Sequence, residues 1–81
     1  MRVPRQWSGA DLQKALGRLG YEVTRQTGSH VRMTTQMRGE HHVTVPEHKV
    51  LPLGTLKSIL RDVARHFECS PDEILARLVN E

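Results

Sequence analysis

Apolar residues recur along this chain in two different periods, and the switches between them divide it into elements. Leu12, Leu16 and Leu19 fall at i, i+4 and i+7, which places one apolar stripe on a helix. Ser8 and Asp11 precede that stripe at the spacing of a capping box, in which Ser8 caps the helix and Asp11 reaches back to the Ser8 N–H. Gly20 supplies a left-handed stop. The period then drops to two: Tyr21 and Val23 alternate with Glu22 and Thr24, as in a half-buried strand. Thr27-Gly28-Ser29 reads as a turn, and a second strand is predicted from Ser29 or His30 to Thr35. Met37-Arg38-Gly39-Glu40 reads as another hairpin turn, followed by a third strand over His42-Val43-Thr44-Val45 that Pro46 ends.

A loop from Glu47 to Pro52, containing His48 and Lys49, returns the chain to helical spacing. Leu56, Ile59, Leu60 and Val63 mark a second amphipathic helix, from near Gly54 or Thr55 to about His66. Ser70-Pro71-Asp72-Glu73 repeats the start signal, with a cap, a proline in the first helical position and an acid three residues on. Ile74, Leu75 and Leu78 form the apolar side of the short helix that follows, within residues 70–81. The class is α+β, with helix, three-stranded antiparallel meander, helix, and one more helix at the C-terminus.

Helices on both sides of a meander in sequence cover one face of its sheet. Uninterrupted alternation assigns Val23, Val31, Met33, Val43 and Val45 to the covered face. The same parity leaves Thr24, Gln26, His30, Arg32, Thr34, His42 and Thr44 on the open one. All seven are polar, so the open face is expected to be a wet binding surface.

Composition sharpens this picture in a few respects. With 81 residues the chain fits one domain, 1–81, whose first seven residues, including Arg2 and Arg5, read as a loose basic arm. No apolar run approaches the roughly 20 residues of a membrane helix, and the N-terminus lacks a secretory signal, so a cytoplasmic protein with no membrane partner is expected. The single cysteine, Cys69, has no internal disulfide partner and reads as a small apolar filler before the last helix. The net charge is +3, with arginine well ahead of lysine. Between Arg25 and Lys57 the only acids are Glu40 and Glu47. Guanidinium forks suit phosphate, so a basic, arginine-rich central segment favours a nucleic-acid partner.

Among these residues, His30 and Arg32 can support chemistry on RNA. The 2′-hydroxyl of RNA is an internal nucleophile, so cleavage needs a base for its proton, cations for the charge growing on phosphate, and an acid for the leaving 5′-oxygen. Histidine serves as acid or base near neutrality. His30 supplies one such group and Arg32, on the same face, one clamp. Gly28 and Ser29 add backbone N–H groups and a hydroxyl as phosphate ligands. His41 and His42 point to opposite faces, so only His42 can join His30 across the sheet, while His41 and His66 are expected to be solvated. A metal site from His30, His42 and His48 is not expected, because no cysteine or acid stands at a recognised ligand spacing.

Several segments in order resemble those of HicA toxins, also called YcfA-like proteins, the small messenger-RNA-cleaving members of bacterial toxin–antitoxin pairs. They are Leu16-Gly17-Arg18-Leu19-Gly20-Tyr21, Arg25-Gln26-Thr27-Gly28-Ser29-His30, Val43-Thr44-Val45-Pro46, His48, and Leu53-Gly54-Thr55-Leu56-Lys57-Ser58-Ile59-Leu60. The resemblance implies a fold like double-stranded RNA-binding domains and a ribonuclease that needs no metal or small-molecule cofactor. Its catalytic residue would be His30, in the Gly-Ser-His motif, and a HicB antitoxin would cover the site. Gly28, Ser29, Arg32, His42, Lys49 and Lys57 are the expected RNA-binding residues. Where the family often has a second histidine and an aromatic after the motif, this chain has Val31 and Met33, and its tail beyond His66 is longer than in the shortest members. The alternative is an RNA-binding module that grips its ligand through a basic surface without cutting it.

Overall fold

The computed structural model describes residues 3–4 and 6–79; residues 1, 2 and 5 of the expected arm, and 80 and 81 at the end of the expected last helix, lie outside the described residues. Helix α1 spans Gly9–Leu16 and tightens into a 3-10 turn at Gly17–Leu19. Its start is the predicted capping box: Asp11 N–H donates to Ser8 Oγ at 3.0 Å and Ser8 N–H to Asp11 Oδ2 at 2.9 Å. Gly20 ends the turn with φ of 82°, a conformation that costs any other residue strain.

Strands β1 (Glu22–Thr27), β2 (His30–Thr35) and β3 (His41–Pro46) form an antiparallel sheet in the order β1-β2-β3. Helix α2 covers Leu53–His66 and α3 Pro71–Val79, the latter capped by Ser70 Oγ, which accepts from Glu73 N–H at 3.1 Å. The order is helix, three antiparallel strands and two helices, the topology of double-stranded RNA-binding domains with an added helix. No helix among the described residues is long and apolar enough to cross a membrane.

The core lies between the helices and one face of the sheet. Leu12, Leu16 and Leu19 meet Leu56, Ile59, Leu60 and Val63 over Val31, Met33, Val43 and Val45, with Ile74 and Leu78 of α3 closing the helical layer. Three residues from segments without periodicity join or pack against this core. Leu51, in the loop after β3, is buried, and its N–H donates to Trp7 O at 2.7 Å. Val3 and Trp7, expected in a loose arm, pack against the core.

One core assignment fails. Val23 is 52% exposed, although it pairs with buried Met33. Strand β1 is an edge strand, and all six of its residues are exposed. Alternation identified the face to which Val23 belongs, but that face is covered only over β2 and β3.

Candidate nucleic-acid interface

The β1–β2 hairpin closes through Gly28 and Ser29, with Thr27 paired to His30. Gly28 has φ of 57°, and a Cβ built there would meet no atom within 4 Å. Backbone conformation rather than space therefore calls for glycine: a positive φ at the first central position lets a two-residue loop follow the twist of its strands. The segment leaving β3 buttresses this turn. Glu47 N–H donates to Ser29 O at 2.6 Å, while the Gln26 amide donates to Gly28 O and to Glu47 Oε2, both at 3.2 Å.

His30 opens β2 between Thr27 on one side and Pro46 on the other. It is exposed, and no side-chain hydrogen bond or ion pair joins it to another described residue. A ring held by backbone pairing alone keeps both nitrogens available to a ligand. Arg32 lies two residues along β2 on the same open face, paired with Thr44 of β3.

Strand β1 does not keep the alternation expected of it. Its register runs Glu22 to Thr34 and Val23 to Met33, then resumes at Arg25 to Arg32, Gln26 to Val31 and Thr27 to His30. The extra residue, Thr24, forms a bulge and is held there by its hydroxyl, which donates to Arg32 O at 3.4 Å and lies 2.9 Å from Thr34 Oγ1. A bulge shifts the side-chain phase of everything beyond it. Gln26, expected on the open face, thus stands opposite Val31, and Arg25 takes the open-face position opposite Arg32. Counting back from the two-residue turn, rather than forward from Tyr21, finds this arrangement in the sequence.

The expectation that His42 stands beside His30 is also corrected. His42 pairs with Thr34, four residues along β2 from His30, so roughly 13 Å of strand separates the two. Both His42 nitrogens are engaged, Nδ1 lying 2.7 Å from Thr34 Oγ1 and Nε2 3.0 Å from Glu40 Oε2. Lys49 lines a shallow groove with Ser8, Ala10, Glu47 and His48, at the end of the sheet where Pro46 meets His30. Lys57 is half-buried on α2, in the helical layer behind the sheet.

His41 and His66 are not simply solvated. His41 Nδ1 lies 2.7 Å from the Tyr21 hydroxyl and Nε2 3.3 Å from Asp62 Oδ1. The carboxylate only accepts, so Nε2–H donates to it and Nδ1 accepts from the phenol. The His41 ring stacks on His66 at 4.5 Å, and His66 Nε2–H donates to Met37 O at 2.9 Å. Burial, with a smaller contribution from the Asp62 charge, pushes the Tyr21 phenol well above its ordinary value. No cluster of three or more His, Cys, Asp or Glu side chains suited to a metal ion occurs among the described residues.

A search of curated proteins and a search of solved structures each found no match. The family model described as the HicA toxin of bacterial toxin–antitoxin systems matches residues 9–64. That span begins at the first residue of α1 and takes in the whole sheet and nearly all of α2. This chain belongs to the HicA toxin family, the toxin component of a bacterial toxin–antitoxin system.

Proposed function

We propose that this toxin is an endoribonuclease that cleaves messenger RNA without a metal ion, with His30 as its general acid or base. The observation that carries the reading is the state of His30: exposed, unengaged by another described side chain, and presented at a hydrogen-bonded hairpin with an arginine on the same face. In the reaction the 2′-oxygen attacks phosphorus as its proton passes to a base. The P–O5′ bond breaks as the 5′-oxygen receives a proton, leaving a 2′,3′-cyclic phosphate. His30 carries one of these proton transfers. Arg32 opposes the charge that grows on the non-bridging oxygens, a role of electrostatic stabilisation. Gly28 and Ser29 present the imidazole and offer polar groups to phosphate, Lys49 extends the basic surface at that end, and His42 and Lys57 contact RNA farther from the scissile bond. The family pairs its toxins with HicB antitoxins, and here that partner would cover the open face in the cytoplasm.

A second reading, an RNA-binding module that does not cut, is favoured by one observation. The other imidazole expected on this face is too distant to complete an acid–base pair with His30. Labelled RNA incubated with the protein in EDTA separates the two. We expect fragments with cyclic phosphate ends, and a loss of at least ~100-fold in rate for His30→Ala, within the range for a general acid or base. Equal cleavage by His30→Ala would refute the assignment, and salt-sensitive binding without fragments would establish the module.

A further inference from the structure

We infer that Arg25 is a ligand for an RNA backbone phosphate, forming with Arg32 a two-guanidinium clamp that the register of the Gly28-Ser29 turn sets and the bulge at Thr24 preserves. The inference rests on the reading of the open face as an RNA-contact surface. Its starting point is an arrangement that the fold alone does not favour. Arg25 and Arg32 are directly opposite each other in an antiparallel ladder, where like charges repel across a short gap. Both are exposed, and neither has a carboxylate partner among the described residues. Glu22, the nearest acid along the ladder, stands opposite Thr34 on the same face and makes no ion pair with either arginine among the described residues, while Glu40 accepts from His42 and Glu47 from Gln26.

The register of the hairpin explains how the pair arises. The two-residue turn pairs Thr27 with His30, and regular alternation back from it would carry Thr24 and Glu22 onto the side of Met33 and Thr35. The extra residue instead sets Val23 with Met33 while leaving Arg25 with Arg32. The turn thus sets the second cation on the open face, and the irregularity lets Val23 keep the side of Met33 without moving that cation. Bulges commonly re-aim side chains beside functional sites.

A bound phosphate resolves the conflict. Guanidinium forks from neighbouring strands can converge on one phosphodiester, each offering paired N–H donors, and the anion then converts repulsion into attraction on both sides. The pair lies two residues from His30 along β2, within reach of arginine's long stem. Arg25 is therefore placed to fix the phosphate on which His30 would act, which would make it a binding residue rather than an acid or base.

The test uses an RNA oligonucleotide carrying 2′-O-methyl groups throughout, which has no nucleophile and reports binding whether or not the protein cuts. Arg25→Gln is expected to weaken binding ~10-fold, as for loss of a charge-assisted contact. It should also lower the slope of log affinity against log salt by about one phosphate contact. The free protein should melt no lower than the parent, since a repulsion has been removed. Arg25→Lys should keep the salt slope and lose part of the affinity, and Arg61→Gln on α2 should do neither. Parental affinity and slope in Arg25→Gln would overturn the clamp. So would a lower melting temperature in that variant, which would show that Arg25 serves the fold. Cleavage surviving in His30→Ala would remove the catalytic assignment and leave this binding result intact. An inactive His30→Ala beside an unaffected Arg25→Gln would do the reverse.

Discussion

Replacing Tyr21 with phenylalanine isolates one hydrogen bond and one proton in the core. Tyr21 is 2% exposed and is the only tyrosine in the chain. Its ring meets His41 and Phe67 edge-on, contacts that phenylalanine retains. What Tyr21→Phe loses is the hydroxyl at 2.7 Å from His41 Nδ1, worth about 1 kcal/mol near neutral pH. For a domain of this size that lowers the melting temperature by roughly 4–8 °C. The sign reverses in alkali. Burial holds the folded phenol protonated above its ordinary value of 10.0, whereas the unfolded chain releases that proton near 10. Above that point the folded state binds more protons, so raising the pH favours unfolding by about 1.4 kcal/mol per pH unit for this one group. Tyr21→Phe lacks the group and escapes that loss. Its stability should therefore fall below that of the parent at neutral pH and cross above it near ~pH 11. Denaturant unfolding followed by circular dichroism across the alkaline range measures both curves, while phenolate absorbance follows the sole tyrosine directly. Parallel curves from neutral pH to about pH 12 would refute the reasoning.

Two further substitutions probe the same corner of the fold. Thr35 is fully buried, its hydroxyl donating to Leu19 O at 2.8 Å and accepting from Met37 N–H at 3.1 Å. Thr35→Val keeps the shape and strands both groups, so it should cost about 2–3 kcal/mol and lower the melting temperature by roughly 10 °C or more in a calorimetric scan. At Gly20, with φ of 82°, an added Cβ would lie 2.8 Å from both Thr35 Oγ1 and Met37 Sδ. Gly20→Ala should therefore destabilise by at least the ~1–2 kcal/mol of a left-handed alanine, read as a shift in denaturant midpoint without a change in slope.

Much of the fold was legible in the sequence because local chemistry and tertiary packing agree. Ser8 with Asp11 and Ser70 with Glu73 cap the helices they introduce, Gly20 and Gly28 take the positive φ their turns need, and the leucine stripes of α1 and α2 form the core. The failures are physical in origin. Alternation reports the face on which a side chain lies but not how far the opposing layer extends, so Val23 looked buried. It also assumes an unbroken phase, which the bulge at Thr24 violates, and Arg25 and Gln26 exchanged roles. No period marks Leu51, because a loop residue is buried by long-range packing. The partners of His41 lie twenty residues before it and twenty-one after, beyond any local pattern.

The five histidines show why position within the sheet, rather than residue type, separates structure from chemistry. Three of them have nitrogens committed to the protein. His41 is bonded between Tyr21 and Asp62, His42 between Thr34 and Glu40, and His66 donates to Met37 O. A general acid or base must present a free nitrogen to its substrate, which His41 and His42 do not without breaking a bond. All three stand at the end of the sheet where β1 and β3 begin, and His41 and His66 there join the aromatic cluster of Tyr21 and Phe67. His30 and His48 lie at the opposite end, beside the Gly28 turn and just beyond Pro46. There the polar contacts run between backbone groups, Gln26 and Glu47, and leave both rings unengaged. The register of the turn adds the paired charges of Arg25 and Arg32 to that half of the open face. One end of the sheet is thus locked by hydrogen-bonded imidazoles and the other carries free imidazole and unpaired guanidinium, the groups that the proposed cleavage would use on RNA, an anion that brings its own nucleophile.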